Sequence, residues 1–349
     1  MDASVRLTSL TRASGCGCKI SPRDLGQILG SSPEVQEFHH LLVGRTTSDD
    51  AAVLDMGSDG CLISTTDFFT PMLDDPFRFG RIAAANALSD VYAMGGRPIM
   101  ALGILGWPVD QLGTAMAARV MQGAEACCVE AGIPLAGGHS ISSVEPFYGL
   151  AANGWVKREN LRTNAMGKAG HRLFITKPIG VGIFSAAFKR GLISELAMEP
   201  IWQHMETLNR IGTELGKIPG VGAVTDVTGF GLVGHLLEIC RSSHTAARLH
   251  TSRIPLLPGL QELLAQWVYP DSTTRNYQAQ QSFVSGWGEL DFLWACDPQT
   301  NGGLLISVSP EDEENLIKTA QAAGVSPNCL VCIGELLPWQ EVPVIFSAD

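Results

Sequence analysis

Charge is scarce in this sequence, and basic charge is scarcer still. Lys, Arg, Asp and Glu make up 17% of the 349 residues, below the roughly 25% usual in soluble domains. With 24 Lys+Arg against 35 Asp+Glu the formal net charge is −11, so no sequence-wide basic field is available to hold a nucleic acid. No apolar run is long enough to cross a bilayer: the longest, Pro98 to Val109, is short and interrupted by glycines. The opening MDASVRLTSLTRASG has no apolar core of the kind a secretory signal needs. Nine cysteines form an odd set, which points to reduced thiols and a cytoplasmic location. No short-period repeat is present, which excludes solenoids and propellers.

What is present is apolar and glycine-rich. At 45% hydrophobic residues the chain can bury a large core, and its length suits two domains. Glycine accounts for 38 residues, about 11% against a usual value near 7%, which suggests backbone approaching a ligand.

The first twenty residues are small, polar and aperiodic, and read as a mobile arm (1–20). A mixed α/β domain follows over 21–157. Its segments 51–54 and 62–65 read as strands joined through Gly57–Gly60. A four-residue loop there pairs Met56 with Cys61, and therefore Asp50 with Asp67 at the open end of the hairpin. Phe77 to Met94 reads as a greasy helix stopped by Gly95-Gly96, with Asn86 and Asp90 four apart on one face. Strand 99–105, helix 112–130, a loop containing Gly137-Gly138-His139-Ser140, and strand 147–156 complete this half. The polar stretch 157–170 reads as a linker. The second α/β domain spans 170–349, with strands 173–176, 223–227, 304–308 and 330–333 and helices over 182–190, 200–215 and 231–240. Residues 269–288 read as polar and irregular.

Several groups carry chemistry. Gly229-Phe230-Gly231-Leu232-Val233-Gly234 matches G-x-G-x-x-G after a strand and before a helix. Against a dinucleotide site, no acidic residue lies near 248–258, and Asp226 just before the turn would repel a pyrophosphate unless a divalent cation intervened. Asp49, Asp50, Asp67, Asp90 and Asp226 each stand beside small or apolar residues at an element end. Carboxylates converging from separate elements suit metal-bridged phosphate chemistry, though Asp is also common at caps and turns. Cys16-Gly17-Cys18-Lys19 places an ammonium near thiols, which favours the thiolate; a plain flexible-tail pair is the blander reading. Cys329-Leu330-Val331-Cys332 has redox or zinc spacing, but its apolar interior favours buried structural thiols. Gly138-His139-Ser140 offers backbone amides to a phosphate, while His139 alone reads as an ordinary loop histidine.

Taken together, SGCGCKISP (14–22), LVGRTTSDDAAV (42–53), ISTTDFF (63–69), FGRIAAANALSDVYAMGGRPIMALGILGWP (79–108), LAGGHSI (135–141), LFITKPIGVG (173–182), TDVTGFGLVGHL (225–236) and DPQTNGG (297–303) resemble the selenophosphate synthetases (selenide, water dikinases). The wider superfamily includes aminoimidazole ribonucleotide synthetase and thiamine-phosphate kinase. The resemblance implies ATP-dependent conversion of selenide and water to selenophosphate, AMP and orthophosphate, with Mg2+. It implies Cys16 and Lys19 as catalytic residues, Asp50, Asp90 and Asp226 as metal ligands, and Lys19, Thr47, Ser48, Asp49, Asp67 and Asp90 as ATP contacts. Gly138, His139 and Ser140 would reach ATP across a homodimer interface, with N-terminal domains pairing into a barrel. Asn301 stands where Ser is frequent, and Thr274 where Glu is expected. Two other readings remain: a different ATP-dependent enzyme of the superfamily, or a thiol-based selenium or metal carrier using Cys16, Cys18, Cys329 and Cys332.

Overall fold

The computed structural model describes residues 6–11, 15–20, 24–25, 27–28, 38–44 and 48–348. The first half is built on a sheet of β1 (Leu41–Val43), β2 (Ala52–Asp55), β3 (Cys61–Phe69), β4 (Arg97–Trp107), β5 (Leu135–Ser142) and β6 (Phe147–Val156), in the order β1-β2-β3-β6-β4-β5. Every neighbouring pair is antiparallel except β4 with β5. Helix α1 (Pro76–Ala93) and helix α2 (Val109–Ala131) pack together beside it. The Asp75 carboxylate caps α1 by accepting from the Phe77 and Arg78 amides, and Pro76 supplies the preset first turn. Gly80 and Gly123 let the two helix backbones approach, since a Cβ on either would strike the carbonyl of Val120 or Phe77. Helix α1 is buried along nearly its whole length, so its few polar side chains need partners inside the protein.

The hairpin register differs from expectation by one residue. Asp55 faces Cys61 and Ala52 faces Ser64, because the loop takes in Met56, whose amide donates to the Gly60 carbonyl. A slip of one exchanges the faces of a strand. Asp50 is therefore not opposite Asp67; it lies beyond the end of β2, outside the ladder. Gly138-His139-Ser140 lie within edge strand β5 rather than a loop, and all three are exposed.

The second half carries a seven-stranded sheet of β7 (Arg172–Ile175), β8 (Val221–Asp226), β9 (Thr245–His250), β10 (Val284–Ser285), β11 (Leu304–Val308), β12 (Val331–Pro338) and β13 (Val344–Ser347). Its order is β10-β13-β9-β12-β7-β11-β8, antiparallel except where β13 meets β9 and β10. Its helices are α3 (Val181–Lys189), α4 (Glu195–Glu206), α5 (Gly212–Leu215), α6 (Gly231–Ser243), α7 (Leu260–Ala265), α8 (Asp271–Gln280), α9 (Asp291–Ala295) and α10 (Glu313–Ala322). Among the described residues edge strand β8 pairs only with β11, antiparallel, so no parallel crossover of the dinucleotide-binding type surrounds the glycine turn at 229–231. The helix expected over 200–215 is two, α4 and α5, separated at Thr207–Ile211.

Two further expectations change. The polar stretch 269–288 contains α8, whose Ser272, Asn276 and Gln280, spaced by four, all face inward. The Asn276 amide donates to the carbonyls of Gly229 and Cys296, and that of Gln280 to Phe230, so the helix braces the glycine turn. The stretch 157–170 is packed rather than free: Arg162 and Asn164 are 4% and 0% exposed, and the Arg162 guanidinium donates to the carbonyls of Gly216 and Ile218.

Candidate active site

Asp50, Asp90 and Asp226 converge where the two halves meet, each offering a carboxylate oxygen within 4.8 Å of the other two. They come from separate elements: the turn before β2, the last turn of α1 and the end of β8. Asp90 sits near the negative end of its helix dipole, a place that disfavours a carboxylate and marks it as kept for another reason. Thr65 donates to Asp90 Oδ2 at 2.6 Å and Thr225 to Asp50 Oδ1 at 2.8 Å. The Ser89 hydroxyl bonds Asp226 and accepts from the Asn209 amide at 2.8 Å. Among the described residues, Asp50 Oδ2 and Asp226 Oδ2 nevertheless remain buried without a hydrogen-bond partner. Burial, then mutual repulsion, pushes the Asp50 and Asp90 carboxyls well above the usual range; burial raises Asp226 as well. A hard divalent cation fits this donor set, all oxygen with two oxygens unsatisfied. Among the described residues it is the one such cluster of His, Cys, Asp or Glu side chains.

Beside it lies the Cys16–Lys19 segment, which forms a short 3-10 turn packed against the body of the protein. Although an arm was expected here, Leu7 and Cys16 are both fully buried. The Gly15 amide donates to the Thr70 carbonyl, the Cys16 amide to Thr300 Oγ1 at 3.2 Å, and Arg275 to the Gly17 carbonyl at 3.1 Å. A Cβ on Gly229 would meet the Cys16 carbonyl oxygen at 2.9 Å and the Lys19 side chain at 3.0 Å, so the glycine turn serves as the seat of this segment.

Asp67 and Asn86 join the two parts. Asp67 Oδ2 accepts from Lys19 Nζ at 3.1 Å and from Asn86 Nδ2 at 2.6 Å. Asn86 Oδ1 accepts the Asn301 amide at 2.7 Å and the Cys16 thiol at 3.3 Å. The expected thiolate is corrected here: burial, then the Asp67 charge, raises the Cys16 thiol well above its ordinary value, outweighing Lys19. Burial disfavours the Lys19 charge, but Asp67 and the neighbouring acidic groups overcome it and raise its pKa. The resting pair is thus a protonated thiol beside a firmly charged ammonium.

Of the other expected contacts, exposed Ser48 adopts φ +51, and its carbonyl accepts from the Asn164 side chain at 2.9 Å. Asp49 Oδ1 accepts the Asn164 amide at 2.6 Å. Thr47 lies outside the described residues. Gly138, His139 and Ser140 stand apart from the cluster. A continuous register row runs Asp67, Leu150, Gly103, Gly138, three strand spacings or about 14 Å. Cys329 and Cys332 do not group with Cys16 and Cys18; the Cys332 thiol bonds the Gly334 carbonyl.

Residues not singled out by sequence reasoning complete the frame. Lys177 Nζ donates to the carbonyls of Thr207 and Asn301, both at 2.8 Å, and burial lowers its pKa to about 7. Asn301 takes φ +49, a left-handed conformation Asn tolerates well, so its departure from the usual Ser fits the backbone. A lysine in an apolar strand end and the threonines Thr65, Thr225 and Thr300 were the available signals.

Residues 48–156 match the family described as AIR synthase related protein, N-terminal domain, and residues 168–342 its C-terminal domain. A protein named selenide, water dikinase from Photorhabdus laumondii is 46% identical over 349 residues, covering 100% of both chains. One of the same name from Shewanella baltica is 48% identical over 98% of this chain and 97% of its own length. Among solved structures, thiamine-monophosphate kinase from Stenotrophomonas maltophilia superposes with a TM-score of 0.65 at 20% identity, covering 90% of this chain and 93% of its own. The hydrogenase maturation protein HypE in complex with ATP gives 0.62 at 18%, covering 83% and 80%. At those identities the likeness is one of fold.

Proposed function

The chain belongs to the selenide, water dikinases among the AIR synthase related proteins, and we propose that it works at the junction of Asp50, Asp90 and Asp226 with the Cys16–Lys19 turn. It catalyses ATP-dependent synthesis of selenophosphate from selenide. AMP and orthophosphate are the accompanying products in this proposal. The observation that carries the assignment is the meeting of three carboxylates from separate elements, two with orphaned buried oxygens, beside a buried thiol and a charged lysine.

Asp50, Asp90 and Asp226 would hold Mg2+, which when bound neutralises and orients the triphosphate. Lys19 holds its proton at Nζ and supplies positive charge to the transferring phosphoryl group. Asp67 orients Lys19 and Asn86. Ser48 and Asp49, with Thr47 preceding them, lie within two or three residues of Asp50, which supports a role in holding the nucleotide. Cys16 starts with its proton on Sγ, directed to Asn86; added positive charge beside Asp67 favours its release. Gly138, His139 and Ser140 are assigned to the nucleotide of a second copy. The exposed edge of β5, with Ile141 on it 51% exposed and Val144 just past it 84% exposed, supports pairing of N-terminal domains in a homodimer. No helix among the described residues is long and apolar enough to cross a membrane. All nine cysteines are free thiols, which supports assigning the enzyme to the reducing cytoplasm.

The test is incubation with ATP and Mg2+, with and without selenide, followed by nucleotide separation and phosphorus NMR. AMP formed in step with selenophosphate is expected; ADP alone, or no turnover, would overturn the assignment.

A further inference from the structure

Hydrogen selenide is a monoanion near neutral pH, and the nucleotide side of the site is walled by Asp50, Asp67, Asp90 and Asp226. An anion approaching from there meets like charge. Behind the Cys16–Lys19 turn lies a cavity of about 330 Å3 whose wall includes none of these carboxylates. It is bordered by Gly17 and Thr300, the neighbour and the hydrogen-bond partner of Cys16. Among the described residues, three cationic side chains line it, Lys189 and Arg190 at the end of α3 and Arg275 in the middle of α8, against one carboxylate, Asp271. Arg275 touches the catalytic turn itself, donating to the Gly17 carbonyl at 3.1 Å. Arg190 donates to the Tyr269 carbonyl at 2.7 Å, which fixes its stem at the cavity rim.

We propose that this cavity is the entry and holding site for the anionic selenium substrate, so that selenide and nucleotide reach Cys16 from opposite faces of one turn. The inference rests on the assigned reaction and adds to it a second, cationic binding site. Positive charge is concentrated here although the chain as a whole carries −11, and a local field of this sign raises the concentration of a small anion. Thr300 and Gly17 form the partition: a ligand in the cavity is one peptide unit from the thiol.

Steady-state kinetics with selenide and ATP varied separately test it, using Arg275→Met, Arg190→Met and Asp271→Asn. Each arginine variant is expected to raise the KM for selenide about tenfold, with KM for ATP within about twofold. Asp271→Asn, removing the one negative charge, should move the KM for selenide in the opposite direction. Arg275→Lys, which restores charge without the forked donor, should recover part of the loss. Hydrosulfide, a monoanion of the same shape, should inhibit competitively against selenide and not against ATP, and this inhibition should weaken in Arg190→Met. If the parent enzyme turns over but all variants keep its KM for selenide, or if the arginine variants lower kcat alone, the cavity is not the selenide site. If the parent enzyme consumes no ATP with selenide, it is the assigned reaction that fails, a result distinguishable from the first.

Discussion

The two walls of the site are held in different ways. The acidic wall stands on the ends of regular elements, and its strain is electrostatic: three carboxylates within 4.8 Å, two with an unsatisfied oxygen. The thiol wall has almost no regular structure and is fixed by single hydrogen bonds to residues distant in sequence: Thr70, Asn86, Thr300 and Arg275. One wall stores repulsion that a bound cation would relieve; the other stores order that its neighbours impose. Metal dependence should therefore reside in the first wall, and thiol chemistry in the second.

The largest expected effect separates them. Asp226→Asn should reduce turnover by roughly a thousandfold and abolish the rise in Tm on adding Mg2+, while raising the Tm of metal-free protein by a few degrees through relief of repulsion. Lys19→Met should cut turnover by roughly a hundredfold or more but leave the Mg2+-induced rise in place. Differential scanning fluorimetry with parallel nucleotide assays reads both; equal Mg2+ responses in the two variants would break the comparison.

Asn86 ties the thiol wall to Asp67, so Asn86→Ala should injure that wall and leave the metal response in place. It strands the Asn301 amide and removes a donor to Asp67, costing about 1–3 kcal/mol measured by urea unfolding, equally with and without Mg2+. Iodoacetamide should then label Cys16 faster than in the parent protein, whose thiol is buried and raised. Unchanged labelling would show that Asn86 does not hold the thiol.

The smallest effect concerns pH. Asp50, Asp90 and Asp226 have folded pKa values above their unfolded value, as does Asp297, raised by burial to about 8. Such groups keep protons in the folded chain that the unfolded chain has lost, so metal-free stability falls as pH rises from about 4 toward their folded values. Buried His204, lowered to about 3, and Lys177, lowered to about 7, act in the opposite sense, so the acidic contribution is read as a difference. Melting curves in EDTA between pH 5 and 8 should lose more stability with rising pH in the parent than in Asp226→Asn. Identical pH dependence in the two proteins would contradict the acidic wall as described.

Much of this was legible in the sequence. The mixed α/β character, the near-continuous apolar helix around Asn86 and Asp90, strand β6 and the Cys-Gly-Cys-Lys segment stand out because burial patterns and unusual polar residues are local signals. The register of the β2–β3 hairpin did not, since one loop residue more or less is invisible in composition yet changes which aspartate faces which. Helix α8 did not, because its inward stripe is Ser272, Asn276 and Gln280, and polar residues that satisfy the 229–231 turn look like a loop. The protonated state of Cys16 was hidden too: Lys19 is its near neighbour in sequence, whereas Asp67 and the surrounding burial come from elsewhere. Lys177 acts only through the carbonyls it gathers, which no linear pattern records.

The bond from the Cys16 amide to Thr300 spans 284 positions. A ribosome making this chain at about 5–20 residues per second must work for roughly 15–60 s after Cys16 is added before Thr300 is even synthesised. Asp226 likewise follows Asp50 by 176 positions, so for much of its synthesis the nascent protein carries a thiol and two carboxylates without their companions. Until Thr300 has been added, the bond that seats the Cys16 turn cannot form.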